Sequence, residues 1–530
     1  MIKQLKERKH DALAIFALLL IVFAFFFRLF YPHVSLFITP EFNMSDITDL
    51  NIPIKSILWH AYRLGEIPLW EKSIGTGFPL FAETQIGYFF IPNILIYSIF
   101  PFDLAFNLGY VTALFMTASG FYVYMRLKRF KPLISFFAGF TFAFSGFYMG
   151  HLNQYNMLQA ASLLPWLLVI FELIRLKITL PRILVFSIVL SQQIFAGHAQ
   201  ITFITLCTIA ASYTIDLIFP FKWARQHVKT IIVLTVILLI GIVIASALSA
   251  VLLLPTIELT KIVSRPQNWD LSHATFYSFP FKQFLGYLSP FIFGSPRLGT
   301  FSPQDQFNGL LFWENVAYIG IIPFFLSVVF WVRNIKLRKI IVFSTFIAIF
   351  AILMLGKFSP VNFIFSFPQL NVFRVTSRFI LPVTLGVVTI FAFALKDFET
   401  RLKKQLPLRT SQFVVIILLL ATVCDIFYNW YSYNLTENAK VWLSDPIFAQ
   451  EIKKDGNTGR VITFNAGNER ASIYTAKGWT GVGDYYTFDR NELIEDSNAT
   501  WGITQFGLYT GLYTLNRYAA YDKALVDTIT

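Results

Sequence analysis

The chain has 530 residues, 56% of them hydrophobic and only 14% charged, with a mean hydropathy of +0.60 and a net charge of +13. That composition excludes a soluble domain of this size and makes lipid part of its solvent. The basic excess does not point to nucleic acid, because it is confined to short segments between apolar runs, and the only cysteines, Cys207 and Cys424, both lie inside such runs, against a disulfide framework or thiolate metal site.

The first apolar run, residues 11 to 30, exceeds a secretory h-region and lacks a small-residue cleavage site, so it reads as a retained helix. Further runs near 103–125, 132–149, 155–174, 180–196, 201–220, 229–254, 313–332, 339–356, 377–395 and 411–429 predict eleven membrane-spanning helices in all. The stretch 88–100 is short, contains Pro92 and is closed by Pro101. If it crossed the membrane, every later basic loop would be inverted. It is therefore expected to be a re-entrant or interfacial segment (88–101).

Basic groups precede the first span and recur at Arg126 to Lys131, Arg175 to Arg182, Lys222 to Lys229, Arg333 to Lys339 and Lys396 to Arg409. Under the positive-inside rule these are cytoplasmic, as is the N-terminus. The first loop (31–87), 151–155, 197–200, 255–312, 358–378 and the tail (431–530) then lie outside. The tail turns polar from Trp442, with strand-like Arg460-Val461-Ile462-Thr463-Phe464 and turn signals at Asp455-Gly456 and Ala466-Gly467. The expected organisation is an all-α polytopic bundle (1–430) with a small external α/β domain (431–530), whose stop at Thr530 without a closing span is what a longer protein cut short would give.

In the first loop, Asp46 and Asp49 are spaced to share a helix face. Such a carboxylate would act as general base on an acceptor hydroxyl, or bind a cation that neutralises a donor phosphate. A solvated helix start, with acids favoured by the dipole, accounts for the same pair. His151 and Gln154 follow the third span, and His198 and Gln200 lie between the fifth and sixth. These could cradle a phosphate or sugar, or serve as helix-end caps. Arg374 and Arg378, one turn apart at the outer entrance of the tenth span, break the positive-inside pattern and suit a lipid-linked phosphate, bidentate guanidinium binding being one route and contact with ordinary head groups the other. Glu314 is an external boundary acid expected to pair with one of them. Gly75-Thr76-Gly77 lacks the Walker lysine, which argues against an ATP-driven pump, and no HExxH or paired-Cys spacing marks a zinc site.

The ordered set "GEIPLWEKSIGTGFPLFAETQIGYFFIPN" (65–93), "AGHAQ" (196–200), "WENVAYIGIIPF" (313–324) and "NVFRVTSRF" (371–379), behind an acidic first loop, resembles the bacterial YfhO-like membrane proteins of the GT-C glycosyltransferase superfamily over nearly the whole chain. The resemblance implies transfer of a sugar (hexosyl or N-acetylhexosaminyl) from a polyprenyl-phosphate carrier to a cell-envelope polymer, such as a teichoic acid, or a lipid acceptor, on the outer face of the bacterial membrane. Asp46 matches the family's first-loop acid and would be the base, in an inverting transfer. Asp49 falls where the pattern is less fixed. By motif position His198, Arg374 and Arg378 would hold the lipid phosphate, and a divalent cation, Mg or Mn, fits the scheme. The rival reading is a flippase or transporter of a lipid-linked glycan, whose binding groups would sit nearer the midplane.

Overall fold

The computed structural model describes residues 2–40, 45–219, 224–263, 270–302, 305, 308–367, 370, 373–456, 459–463, 477–479, 490–494, 496–508 and 514–529. Of the sequence signals, Phe464, Ala466-Gly467 and Asn371-Val372 lie outside the described residues. Eight helices there are long and apolar enough to cross a membrane: Lys9–Leu29, Phe102–Leu127, Pro132–Asn153, Tyr155–Leu176, Ala199–Ile218, His227–Leu248, Thr376–Gln405 and Leu408–Trp430. Three shorter ones, Leu180–Phe195, Ile321–Asn334 and Arg338–Met354, supply the rest of the expected set. The protein is thus a multi-pass helical membrane bundle.

Three expected spans are interrupted, all at the same end of the bundle. The third ends its regular helix at Ala143 and restarts as the short helix Gly146–Gly150; the fourth is divided between Tyr155–Ser162 and Leu164–Leu176, with Pro165 in the new first turn. The span expected from 313 begins at Ile321 instead. Trp313–Asn315 is a single 3-10 turn, and an extended segment then places the Tyr318 carbonyl 2.6 Å from the Gly146 amide, satisfying the break in the third span. The helix itself starts where Asp425 Oδ2 accepts the Ile321 amide at 2.9 Å, an N-cap lent by another helix.

Aromatic packing closes the interior. Phe25 meets Phe144 and Phe427 edge-on at 5.2 and 5.3 Å, and Phe106 stacks on Tyr155 at 4.7 Å. Gly109 is the price of that last contact: a Cβ there would fall 1.6 Å from the Tyr155 hydroxyl.

The stretch 88–100 forms one nine-residue helix, Ile91–Ile99, about 14 Å long, too short to span. It packs against Ile52–Leu64 and Phe102–Leu127 while Ile91, Leu95 and Ile99 stay exposed, leaving an outward apolar face. The helix Ile52–Leu64 opens with Pro53 in its first turn, ends on left-handed Gly65, and buries Ile52, Ile54 and Leu58. Strand β1 (Ser35–Phe37) pairs antiparallel with β2 (Thr436–Asn438), tying the first loop to the start of the tail. In the tail the Asp455-Gly456 signal is a helix end, with Gly456 at φ +66° closing Ile447–Asp455. The strand-like run at 460–463 contributes one parallel bridge, Val461 to Gln505, rather than a strand. The tail leans on the first loop through Gln505 N to Ser73 O (3.1 Å), Gly75 N to Gly507 O (3.1 Å) and Arg460 Nη1 to Lys72 O (2.9 Å).

Candidate functional site

At the end of the bundle where the spans are interrupted lies a polar cavity of about 320 Å³ whose lining includes Asp46, Gln154, His198, Gln200, Arg374 and Arg378. Residues from the first loop, the third and fifth interspan turns and the entrance of Ile380–Gln405 therefore meet, although more than 300 positions separate the first from the last.

Asp46 and Asp49 do not share a face. Residues Asp46–Asn51 form a single π turn, in which the Ile52 amide bonds five residues back to Ile47 O, and the wider turn rotates the two acids apart. Asp49 is buried and spent locally: its carboxylate accepts the Ser45 amide and the Thr48 hydroxyl, both at 2.7 Å, while Ser45 Oγ accepts the Thr48 amide at 3.3 Å. This is a reciprocal cap on the turn. Asp46, half-buried, is left on the cavity wall.

Arg378 is the hub. Its Nε and Nη2 fork onto Glu314 (3.0 and 2.6 Å to Oε1), Nη2 also donates to Gln154 Oε1 (3.1 Å), and Nη1 donates to Gln200 Oε1 (3.0 Å) and faces His198 Nε2 at 3.3 Å. Four of the five N–H positions are thereby used on Glu314, Gln154 and Gln200, and the fifth points toward His198. A cation at the N-terminal end of a 26-residue helix opposes the helix dipole, and Glu314, 1% exposed, offsets it. Burial pushes the Glu314 carboxyl up, but the Arg378 charge and the neighbouring His151 outweigh it and bring it down to about 2. His151, fully buried, sits behind Glu314 (Nε2 to Oε2 3.1 Å) with Nδ1 2.6 Å from Phe147 O. His151 and Glu314 thus form a layer beneath the cavity instead of lining it.

His198 caps the next helix, its Nδ1 accepting the Ile201 amide at 3.3 Å. Burial, reinforced by Arg378, holds its pKa well below the ordinary histidine value, so the ring is neutral. With Nδ1 an acceptor, the ring proton is on Nε2, which then confronts a guanidinium N–H. Two donors 3.3 Å apart are relieved by an acceptor, such as an anion, that reaches both from the cavity side. Arg374, exposed, lines the same cavity with its guanidinium 5.4 Å from the Tyr277 ring centroid.

A second carboxylate, Glu83, also lines the cavity, with Thr84, Gln85, Asn51 and Asn156. Its signal was present in the stretch AETQIGY, yet no spacing relates it to Asp46; only folding brings them to one wall. Glu83 accepts the Gln85 amide at 3.0 Å. Thr84 carries φ +84°, unusual for a β-branched residue and of the kind that gathers at ligand sites. It abuts Gly197, whose φ of +83° lets its backbone pass so close that a Cβ would meet Thr84 O at 2.3 Å. Beneath lies Lys55, wholly buried, donating to Gln85 O and Ile86 O at 3.0 and 2.7 Å; burial lowers its pKa to about 7 against the pull of Glu83. Among the described residues no three His, Cys, Asp or Glu side chains cluster as cation ligands.

No protein-family model matches the chain, and no curated protein matches it. The fold itself is a helical membrane bundle. Among solved structures it is similar to the arabinofuranosyltransferase AftD from mycobacteria, determined by single-particle cryo-EM, with a TM-score of 0.51 and 14% identity over 86% of this chain. The match covers 29% of the AftD chain, and identity this low establishes likeness of fold alone.

Proposed function

We propose that the protein is a GT-C glycosyltransferase of the YfhO-like branch, moving a sugar from a polyprenyl-phosphate carrier to a cell-envelope acceptor on the non-cytoplasmic face. The observation that carries this reading is the cavity whose lining brings together a loop carboxylate, Asp46, an exposed guanidinium, Arg374, and neutral His198. The likeness of fold to AftD and the ordered sequence motifs support it.

In this reading Asp46 takes the proton of the acceptor hydroxyl as that oxygen bonds to the sugar's anomeric carbon. The bond from that carbon to the carrier phosphate breaks, configuration inverts, and the phosphate leaves as an anion. Arg374 and His198 Nε2–H stabilise the departing charge. Arg378 is reassigned from phosphate clamp to positioning residue, since its N–H groups hold Gln154, Gln200 and Glu314. Asp49 shapes the turn that presents Asp46. If a divalent cation takes part, Asp46 and Glu83 with Asn51 Oδ1, a buried oxygen without a hydrogen-bond partner, offer the hard oxygen donors suited to Mg or Mn; such an ion would neutralise donor phosphate. The tail, 431–530, is the external domain beside the acceptor path. Incubating purified protein with radiolabelled polyprenyl-phosphate sugars and envelope fractions should place label in polymer. Label that crosses the membrane without covalent transfer would overturn the enzyme in favour of a flippase.

A further inference from the structure

At the opposite end of the bundle lies a second cavity, of about 250 Å³, between the ends of the helices Leu164–Leu176, Ala199–Ile218 and Arg338–Met354 and the flank of Ile380–Gln405. The helix that starts beside His198 delivers Asp216 to it, about 27 Å away along the axis. Four cations and two acids line it: Lys128, Arg175, Arg338 and Lys339 against Glu172 and Asp216. The acids are already shared by the inner pair. Lys128 meets Glu172 at 2.7 Å, and Arg175 bridges Glu172 and Asp216 at 2.9 and 2.8 Å.

Two positive charges are left in excess at the mouth. Arg338 is held through two backbone carbonyls, Phe219 O at 2.9 Å and Asp216 O at 2.7 Å, and makes only a longer, 3.8 Å contact with the Asp216 carboxylate that Arg175 already engages, its side chain 61% exposed; Lys339 Nζ stands 5.4 Å from the centroid of the Phe393 ring. Behind these cations the wall turns apolar, through Phe343, Phe346 and Leu385 of the membrane helices. A polar rim of net charge +2 over an apolar throat suits an amphiphile with an anionic head better than a soluble anion, which would leave the throat wet or empty. We propose that this crevice binds the phosphate headgroup of an anionic membrane phospholipid, with Arg338 and Lys339 as the contacts and an acyl chain along the Phe343 and Phe346 wall. The site is separate from the Asp46 cavity and independent of its chemistry.

The test is thermal unfolding of the full chain in neutral detergent, titrated with phosphatidylglycerol, with phosphatidylcholine, or with inorganic phosphate. Phosphatidylglycerol should stabilise, and the concentration for half its effect should rise about 30-fold in Arg338→Gln/Lys339→Gln, about five-fold per charge removed. Lys404→Gln/Arg409→Gln, at the same end but outside the crevice, should change it less than twofold. If the double variant misfolds, Lys339→Gln alone, whose side chain rests on a ring, should still show the five-fold shift. Equal stabilisation by phosphatidylcholine or by inorganic phosphate, an equal loss in the Lys404/Arg409 pair, or an unshifted Lys339→Gln would each overturn the site.

Discussion

Replacing buried Glu314 with Gln keeps the shape of the side chain and removes the carboxylate charge paired with partly buried Arg378. The carboxyl is displaced from its ordinary 4.5 to about 2, which at 1.36 kcal/mol per pKa unit is about 3 kcal/mol of interaction favouring the ionised form. Because the folded-state pKa is the lower one, that stability is fully present above about pH 4.5 and drains away as pH falls toward 2. Equilibrium unfolding in a mixed-micelle titration should therefore find Glu314→Gln about 3 kcal/mol less stable than the parent at pH 7, in the range expected when one partner of a buried pair is deleted. The gap should narrow steadily between pH 4.5 and the acid limit. In a double-mutant cycle with Arg378→Gln, most of the loss should be recovered, since the second substitution removes the stranded guanidinium. A Glu314→Gln protein as stable as the parent at pH 7, or a gap that does not change with acid, would refute the reasoning that Glu314 is the ionised anchor of Arg378.

Arg374→Gln should raise the KM for a polyprenyl-phosphate sugar by about tenfold or more, the loss of one charge-assisted contact, in steady-state transfer assays. The contribution of Lys55 to stability should rise with pH between about 7 and 10.5, by on the order of 5 kcal/mol, because folded Lys55 gives up its proton near 7 while the unfolded chain keeps its own to 10.5; Lys55→Met should flatten that slope in the same unfolding titration. Gly197→Ala combines φ +83° with a Cβ 2.3 Å from Thr84 O, so it should cost about 1–3 kcal/mol in unfolding and lower transfer by displacing the 83–85 segment.

Much of the scaffold could be read from hydrophobicity alone, since about 20 apolar residues in lipid leave the backbone no choice but a helix. The eleven expected spans each have a helical counterpart, and the short, proline-bounded stretch at 88–100 is indeed too short to cross. The interruptions were not legible that way. Hydropathy is blind to where a helix yields its hydrogen bonds to a neighbour, as Gly146 does to Tyr318, so the segment before Ile321 looked like membrane when it is the shelf carrying Glu314. Residue type and sidedness pointed to Asp46, His198, Gln200, Arg374, Arg378 and Gln154, which the fold gathers around one cavity. Their division of labour was hidden, because whether an arginine has donors to spare depends on partners 64 to 224 positions away. The Asp46 and Asp49 pair failed as a shared face for a local reason: the spacing argument assumed an α turn where the chain makes a π turn.

The central claim is that Asp46 abstracts the acceptor's proton in the cavity it shares with His198 and Arg374. It is tested most directly by comparing the parent with Asp46→Asn in transfer of radiolabelled sugar from a polyprenyl-phosphate donor, with both proteins shown to be equally folded and membrane-inserted. The account predicts label in the acceptor with the parent and none above background with Asp46→Asn. An Asp46→Asn protein that still transfers sugar at the parent's rate would contradict it.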